Sequence, residues 1–189
     1  MPVTSKAATP APELPLDRAL WRFARARAFA ASGQAEVAER EAMLFDQLAA
    51  SDAVKAIDSP IFPSNQMLVV AHHLAHAGVR SARNDHDGMI AKLRAAVEAE
   101  HALPYMEPAF WIYPTRQTLG GALLRLGRGA EAEAEFRMDL EEFPRNGWSL
   151  FGLAESLRKQ GKSESAALVE REFGAAWAGS DVRLSVDVL

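Results

Sequence analysis

Leu119-Gly120-Gly121-Ala122-Leu123-Leu124-Arg125-Leu126-Gly127-Arg128-Gly129-Ala130-Glu131-Ala132 is answered further along the chain by Leu153-Ala154-Glu155-Ser156-Leu157-Arg158-Lys159-Gln160-Gly161-Lys162-Ser163-Glu164-Ser165-Ala166. Leu119 and Leu153, Leu123 and Leu157, Gly127 and Gly161, and Ala132 and Ala166 each lie 34 residues apart. A fixed period of this length in a helix-forming stretch predicts a helix–turn–helix repeat whose copies stack on one another.

Working outward, the first copy spans 113–146. Gly127 ends its first helix, because glycine adopts the left-handed conformation of a helix C-cap without a Cβ clash. Ala132 lets the second helix approach, Phe136 fills the space four residues on, and Pro144 stops that helix for want of an N–H. The second copy spans 147–180 and closes on Phe173 and Trp177. A degenerate copy occupies about 19–52, where Gly33 and Ala38 keep the five-residue offset of Gly127 and Ala132. A further pair, about 66–102, turns near Asn84 and carries Asn84 and Met89 where the turn glycine and small alanine belong. The prediction is an all-α, right-handed solenoid of three to four antiparallel helix pairs over 17–180, with 1–16 a disordered arm and 181–189 a tail.

Composition agrees. The 189 residues suit one domain or one short solenoid, and 49% are hydrophobic, with Ala and Leu dominant and β-branched residues sparse. No apolar run reaches the roughly 18 residues of a membrane span. Four prolines within 1–15 leave no apolar core for a secretory signal. The absence of cysteine removes disulfides and thiolate ligands and points to a reducing compartment, the cytoplasm. A formal charge of −4 argues against nucleic acid, which calls for a basic stripe.

Leu119, Gly120, Ala132, Phe136 and Pro144 fall where tetratricopeptide repeats place their large, small, small, aromatic and proline residues, and the chain resembles that family. Leu103-Pro104-Tyr105-Met106-Glu107-Pro108, Trp111, Pro114-Thr115-Arg116, Leu119-Gly120 and Asn146-Gly147-Trp148-Ser149-Leu150-Phe151-Gly152-Leu153 are similar to the C-terminal portion of a group of larger bacterial tetratricopeptide-repeat proteins. The resemblance implies a fold and not a reaction, with this chain a shortened member lacking the N-terminal repeats.

Such scaffolds bind peptides or helices in a concave groove lined by the first helix of each pair. Spacing nominates Phe23, Arg27, Gln117, Gly121, Leu124, Arg125, Phe151, Glu155, Arg158 and Lys159. Arg125, Arg158 and Lys159 would favour an acidic peptide or a carboxylate through charge-assisted hydrogen bonds, although basic residues in a last turn also complement the helix dipole. Tyr105, Glu107, Trp111, Tyr113 and Arg116 form a second cluster, read either as pins for a proline-stiffened connector or as a ligand site. Leu184, Val186, Val188 and Leu189 either plug the last pair near Phe173 and Trp177 or leave an apolar end through which copies assemble.

All five histidines fall within 72–101. His72 and His76 share a helical face, and with His86 or Asp87 they could hold one divalent ion. His101 lies too far along the returning helix. The competing reading makes His73 and His76 packed core residues and His72 and His86 exposed ones. No phosphate loop, nucleophile elbow or His-Glu-x-x-His set is present. The reading is therefore a non-enzymatic scaffold binding a protein or peptide. The alternatives are a metal-binding protein or metal-dependent enzyme, and a structural subunit that self-assembles.

Overall fold

The computed structural model describes residues 8–189, with the Val188 side chain set aside. Among these residues the fold is all-α: α1 Pro15–Ala31, α2 Ala35–Ala49, α3 Asp52–Lys55, α4 Ser64–Ala82, α5 His86–His101, α6 Thr115–Arg125, α7 Gly129–Glu142, α8 Gly147–Lys159 and α9 Ser163–Ala176, followed by a 3-10 turn, Val186–Val188. The first seven residues of the expected arm lie outside the described residues. The arm also ends sooner than its composition suggests, because Pro15 opens α1, where a fixed φ and a missing N–H are both tolerated. No helix among the described residues is long and apolar enough to cross a membrane.

Four helix hairpins share one turn. Three residues separate α1 from α2, α4 from α5, α6 from α7, and α8 from α9. The middle residue has φ of +75° at Gly33, +58° at Asn84, +76° at Gly127 and +75° at Gly161. In each turn the next N–H reaches back five residues, Gln34 to Phe29, Asp85 to Arg80, Arg128 to Leu123 and Lys162 to Leu157, while the middle N–H reaches back three. These are Schellman caps, which satisfy carbonyls that the helix end would otherwise orphan. Asn84 substitutes for glycine because its short polar side chain tolerates the left-handed region. Five residues after each cap comes a buried residue, Ala38, Met89, Ala132 or Ala166.

Two compact units divide the chain, Met1–Ile112 and Tyr113–Leu189. In the first, α1 packs on α2 and both meet α4, which pairs with α5. Its core gathers Ala19, Phe45, Val54, Leu68 and Ala71, with Phe23 and Trp111 against it. Glu41 is buried on α2 and accepts from Arg22 at 2.7 Å and Arg25 at 2.9 Å. Burial pushes its carboxyl pKa up, but the two guanidinium groups outweigh that and hold it below the ordinary value.

In the second unit α6 packs on α7, α7 on α8, and α8 on α9, with α6 also touching α8. Phe136 of α7 has no exposed surface. It fits because its neighbours lack side chains: a Cβ on Gly120 would lie 2.8 Å from its ring, and one on Gly152 2.2 Å. A buried polar network fixes the α7–α8 junction. Asp139 Oδ2 accepts from Ser149 Oγ at 2.6 Å and from Asn146 Nδ2 at 3.0 Å, and Asn146 Nδ2 also reaches Gln117 Oε1 at 3.1 Å. Asn146 Oδ1 in turn accepts from the Trp148 N–H, capping α8. Burial raises the Asp139 pKa above the ordinary aspartate value, against the lowering by its two donors. On α7, burial likewise pushes Glu133 up, but Lys162, Gln160 and Arg137 outweigh it and bring its carboxyl to about 2.

Candidate functional site

The most completely formed contact between a helix and an extended segment lies on α6. Helical spacing puts Gly121 and Arg125 on one face, and that face holds a peptide segment, the chain's own residues 186–189. Arg125 Nη1 donates to the main-chain oxygens of Val186 at 3.2 Å and Leu189 at 2.9 Å. Leu189 is 9% exposed. It seats over Gly121, where an added Cβ would lie 2.6 Å from the Leu189 Cβ and 2.9 Å from its carbonyl carbon. Upstream, the Trp177 indole Nε1 donates to the Val182 oxygen at 2.8 Å, which anchors the start of the tail.

The tail therefore folds back, and its 3-10 turn lies on α6. The plug expected over Phe173 and Trp177 is met in part, by the Trp177 bond to Val182, while the 3-10 turn lies on α6. Those rings are occupied with one another and with α8: Phe173 stacks on Trp177, Trp148 meets Trp177 edge-on, and Phe151 packs on Phe173.

Several of the nominated groove residues are taken up in packing or pairing within their own units. Leu124 is fully buried and Gln117 nearly so, inside the helix packing. Phe23 belongs to the first unit's core, 6.0 Å from Trp111 and 6.1 Å from Phe45 between ring centroids. Arg27, half-buried on α1, lies with its Cδ where it would stand 3.9 Å from a Cβ added at Gly78 of α4. Arg158 is paired with Glu155 and Glu170, and Lys159 Nζ lies 3.4 Å from the Leu124 oxygen. Arg125 is the nominated cation that meets a peptide.

In the second cluster Trp111 packs inside the first unit, and Tyr105 donates to Glu107 on the surface. Arg116 pairs with Glu135 at 2.8 Å within the second unit. The five residues do not assemble into a single site within either unit.

The histidines resolve differently from the expected set. His72 and His76 lie on one face of α4, with ring centroids 4.4 Å apart. The third donor is Asp46 of α2, whose Oδ1 accepts from His72 Nδ1 at 2.7 Å and whose Oδ2 accepts from His76 Nε2 at 2.8 Å. His86 is exposed at the first position of α5. It is not in this group, because α4 runs on to Ala82 and carries the turn about 9 Å beyond His76. Asp87 stays out for the same reason. An open cleft of about 410 Å³ adjoins the cluster, lined by Asp46 and His72 together with Phe45, Ala49, Leu68 and Val69.

Compared with protein-family models, curated proteins and solved structures, the chain matches none of them.

Proposed function

We propose that the 113–189 unit is a non-enzymatic peptide-recognition module of tetratricopeptide type, and that the α6 face receives a short segment of a partner protein. The observation that carries the reading is the seat itself: Gly121 opens a slot for an aliphatic side chain, and Arg125 reads two main-chain oxygens beside it. The four matching Schellman turns support a repeat of solenoid type. The acidic preference expected of Arg158 and Lys159 is not carried forward, since both already have partners. The segment would be chosen by backbone shape and one aliphatic residue.

The docked tail is a displaceable occupant on this reading. Ordering four residues costs about 4–8 kcal/mol of backbone entropy. Burying one leucine contributes about 1.5–3 kcal/mol, and two guanidinium hydrogen bonds about 1.5–3 kcal/mol each. The balance lies near zero, so a partner with slightly more contact would displace it.

The test uses the protein shortened after Ser180 and a peptide of residues 181–189 titrated to millimolar concentration, read by NMR shifts of the α6 amides, because a tethered balance near zero means weak binding in trans. The peptide should bind the shortened protein, bind the full chain more weakly, and lose binding when Arg125→Ala is introduced. A shortened protein that stays folded by circular dichroism yet ignores the peptide would refute the module.

A further inference from the structure

Asp46, His72 and His76 lie in the first unit, apart in sequence and chemistry from the α6 face. We propose that they form a site for one divalent transition-metal ion of the zinc kind, with a coordination position left open to the adjoining cleft.

Three donor atoms, one from each residue, lie within 4.8 Å of one another. An ion held about 2.0–2.2 Å from each donor fits that spacing. The two hydrogen-bonding contacts, 2.7 and 2.8 Å, need to spread by roughly 0.5–0.9 Å as the ion replaces the shared protons. Two packed helices pre-position the set: α2 carries Asp46, and one helical turn of α4 brings both imidazoles to the same side. The side chains are 33%, 35% and 23% exposed for Asp46, His72 and His76, so an ion can reach them while shedding part of its water.

Donor chemistry selects the ion. Two imidazole nitrogens and one carboxylate suit zinc and its neighbours in the first transition row, whereas calcium and magnesium want oxygen throughout. Three protein donors leave a position for water or a small anion. Asp46 and His72 also line the cleft, so the open position faces space whose walls include Phe45, Leu68 and Val69. A metal-free His–Asp–His clasp joining α2 to α4 would look the same in outline, and the experiment separates the two.

Metal-free full-length protein without a histidine tag would be titrated with Zn²⁺ against a chromophoric chelator, and with Co²⁺ by visible absorption. One equivalent should bind, with micromolar or tighter affinity. His72→Ala, His76→Ala and Asp46→Asn should each weaken it by at least the ten- to hundredfold that loss of a mere supporting partner costs. His86→Ala and His101→Ala should leave it unchanged. Azide added to the Co²⁺ form should alter the spectrum by entering the open position. Circular dichroism keeps the variants interpretable, and Asp46→Asn preserves size should an alanine variant unfold. A folded wild-type chain that binds no Zn²⁺, or binding equally weakened by His86→Ala, overturns the site. An azide-insensitive Co²⁺ spectrum overturns the open position.

Discussion

Gly120 and Gly121 are neighbours on α6, yet alanine at the two positions should have opposite consequences. A Cβ at Gly120 meets Phe136 Cε1 and Cζ at 2.8 Å. That ring cannot yield, because it is wholly buried and Gly152 confines it from α8, where a Cβ would stand 2.2 Å from the same Cζ. Overpacking of this kind costs about 1–3 kcal/mol, and exchanging glycine for alanine inside a helix returns about 1 kcal/mol. The net loss is about 0–2 kcal/mol, or up to roughly 8 °C in Tm for a chain of this size. At Gly121 the three nearest atoms all belong to Leu189. The tail can leave at little cost while the helix keeps its gain, so Gly121→Ala should hold or raise Tm. Both substitutions carry the same propensity gain, so their difference isolates the packing. Thermal melts read the first effect. Hydrogen exchange of the 182–189 amides and the emission of Trp177 read the second, as protection is lost in Gly121→Ala alone. Equal Tm losses at the two positions, or a protected tail in Gly121→Ala, would refute the reasoning.

Glu133, held at about 2 in the folded chain against an ordinary 4.5, contributes stability that is complete above 4.5 and lost as pH falls toward 2. The urea midpoint of Glu133→Gln should fall less steeply than that of the wild type across this window. Asp139 has the opposite sign: its folded pKa is raised, so stability declines as pH climbs from 3.8 through the raised value. Asp139→Asn should abolish that slope, seen as a wild-type-minus-variant unfolding free energy that drops with rising pH. Asn84→Gly should leave Tm nearly unchanged because φ is already +58°, whereas Asn84→Val should cost about 1–2 kcal/mol by forcing a β-branched residue into the left-handed region.

The helical class was legible because each hairpin turn needs a residue at positive φ and a buried residue five positions later, and Gly33, Gly127 and Gly161 display that offset openly. The pair over about 66–102, turning at Asn84, was legible only by analogy with them. The proposed binding surface was less legible for a geometric reason. Eight of the eleven residues of α6 are buried, so the helix has no single solvated face opposite its packed one. Periodicity therefore nominated Leu124 and Gln117 for a groove when both serve the interior. Asp46 could not have been found by spacing at all. It lies 26 residues from His72, and only the register of α2 against α4 brings them together. Nothing in Phe45-Asp46-Gln47-Leu48-Ala49 marks Asp46 out from the other charged residues of α2.

Recognition by the α6 face would depend on how rigidly α6 is held, because a slot one methyl group deep tolerates little movement. The buried polar network bears on this directly. Gln117 projects from α6, Asp139 from α7, and Asn146 and Ser149 from the start of α8, so one set of hydrogen bonds ties three helices at one end. Four residues further along α6 come Gly121 and then Arg125. A buried carboxylate is a costly way to join helices unless its partners are well aligned, and here one oxygen of Asp139 takes both donors while the other, Oδ1, has no hydrogen-bond partner among the described residues. Apolar residues at these positions could fill the same space without desolvating a charge. They would permit several sliding registers, whereas directional bonds to Asn146 and Ser149 permit one. Burial outweighs the two donors and raises the Asp139 pKa, and the bonds of Asn146 and Ser149 join α6, α7 and α8 at the end of α6 that lies four residues before Gly121.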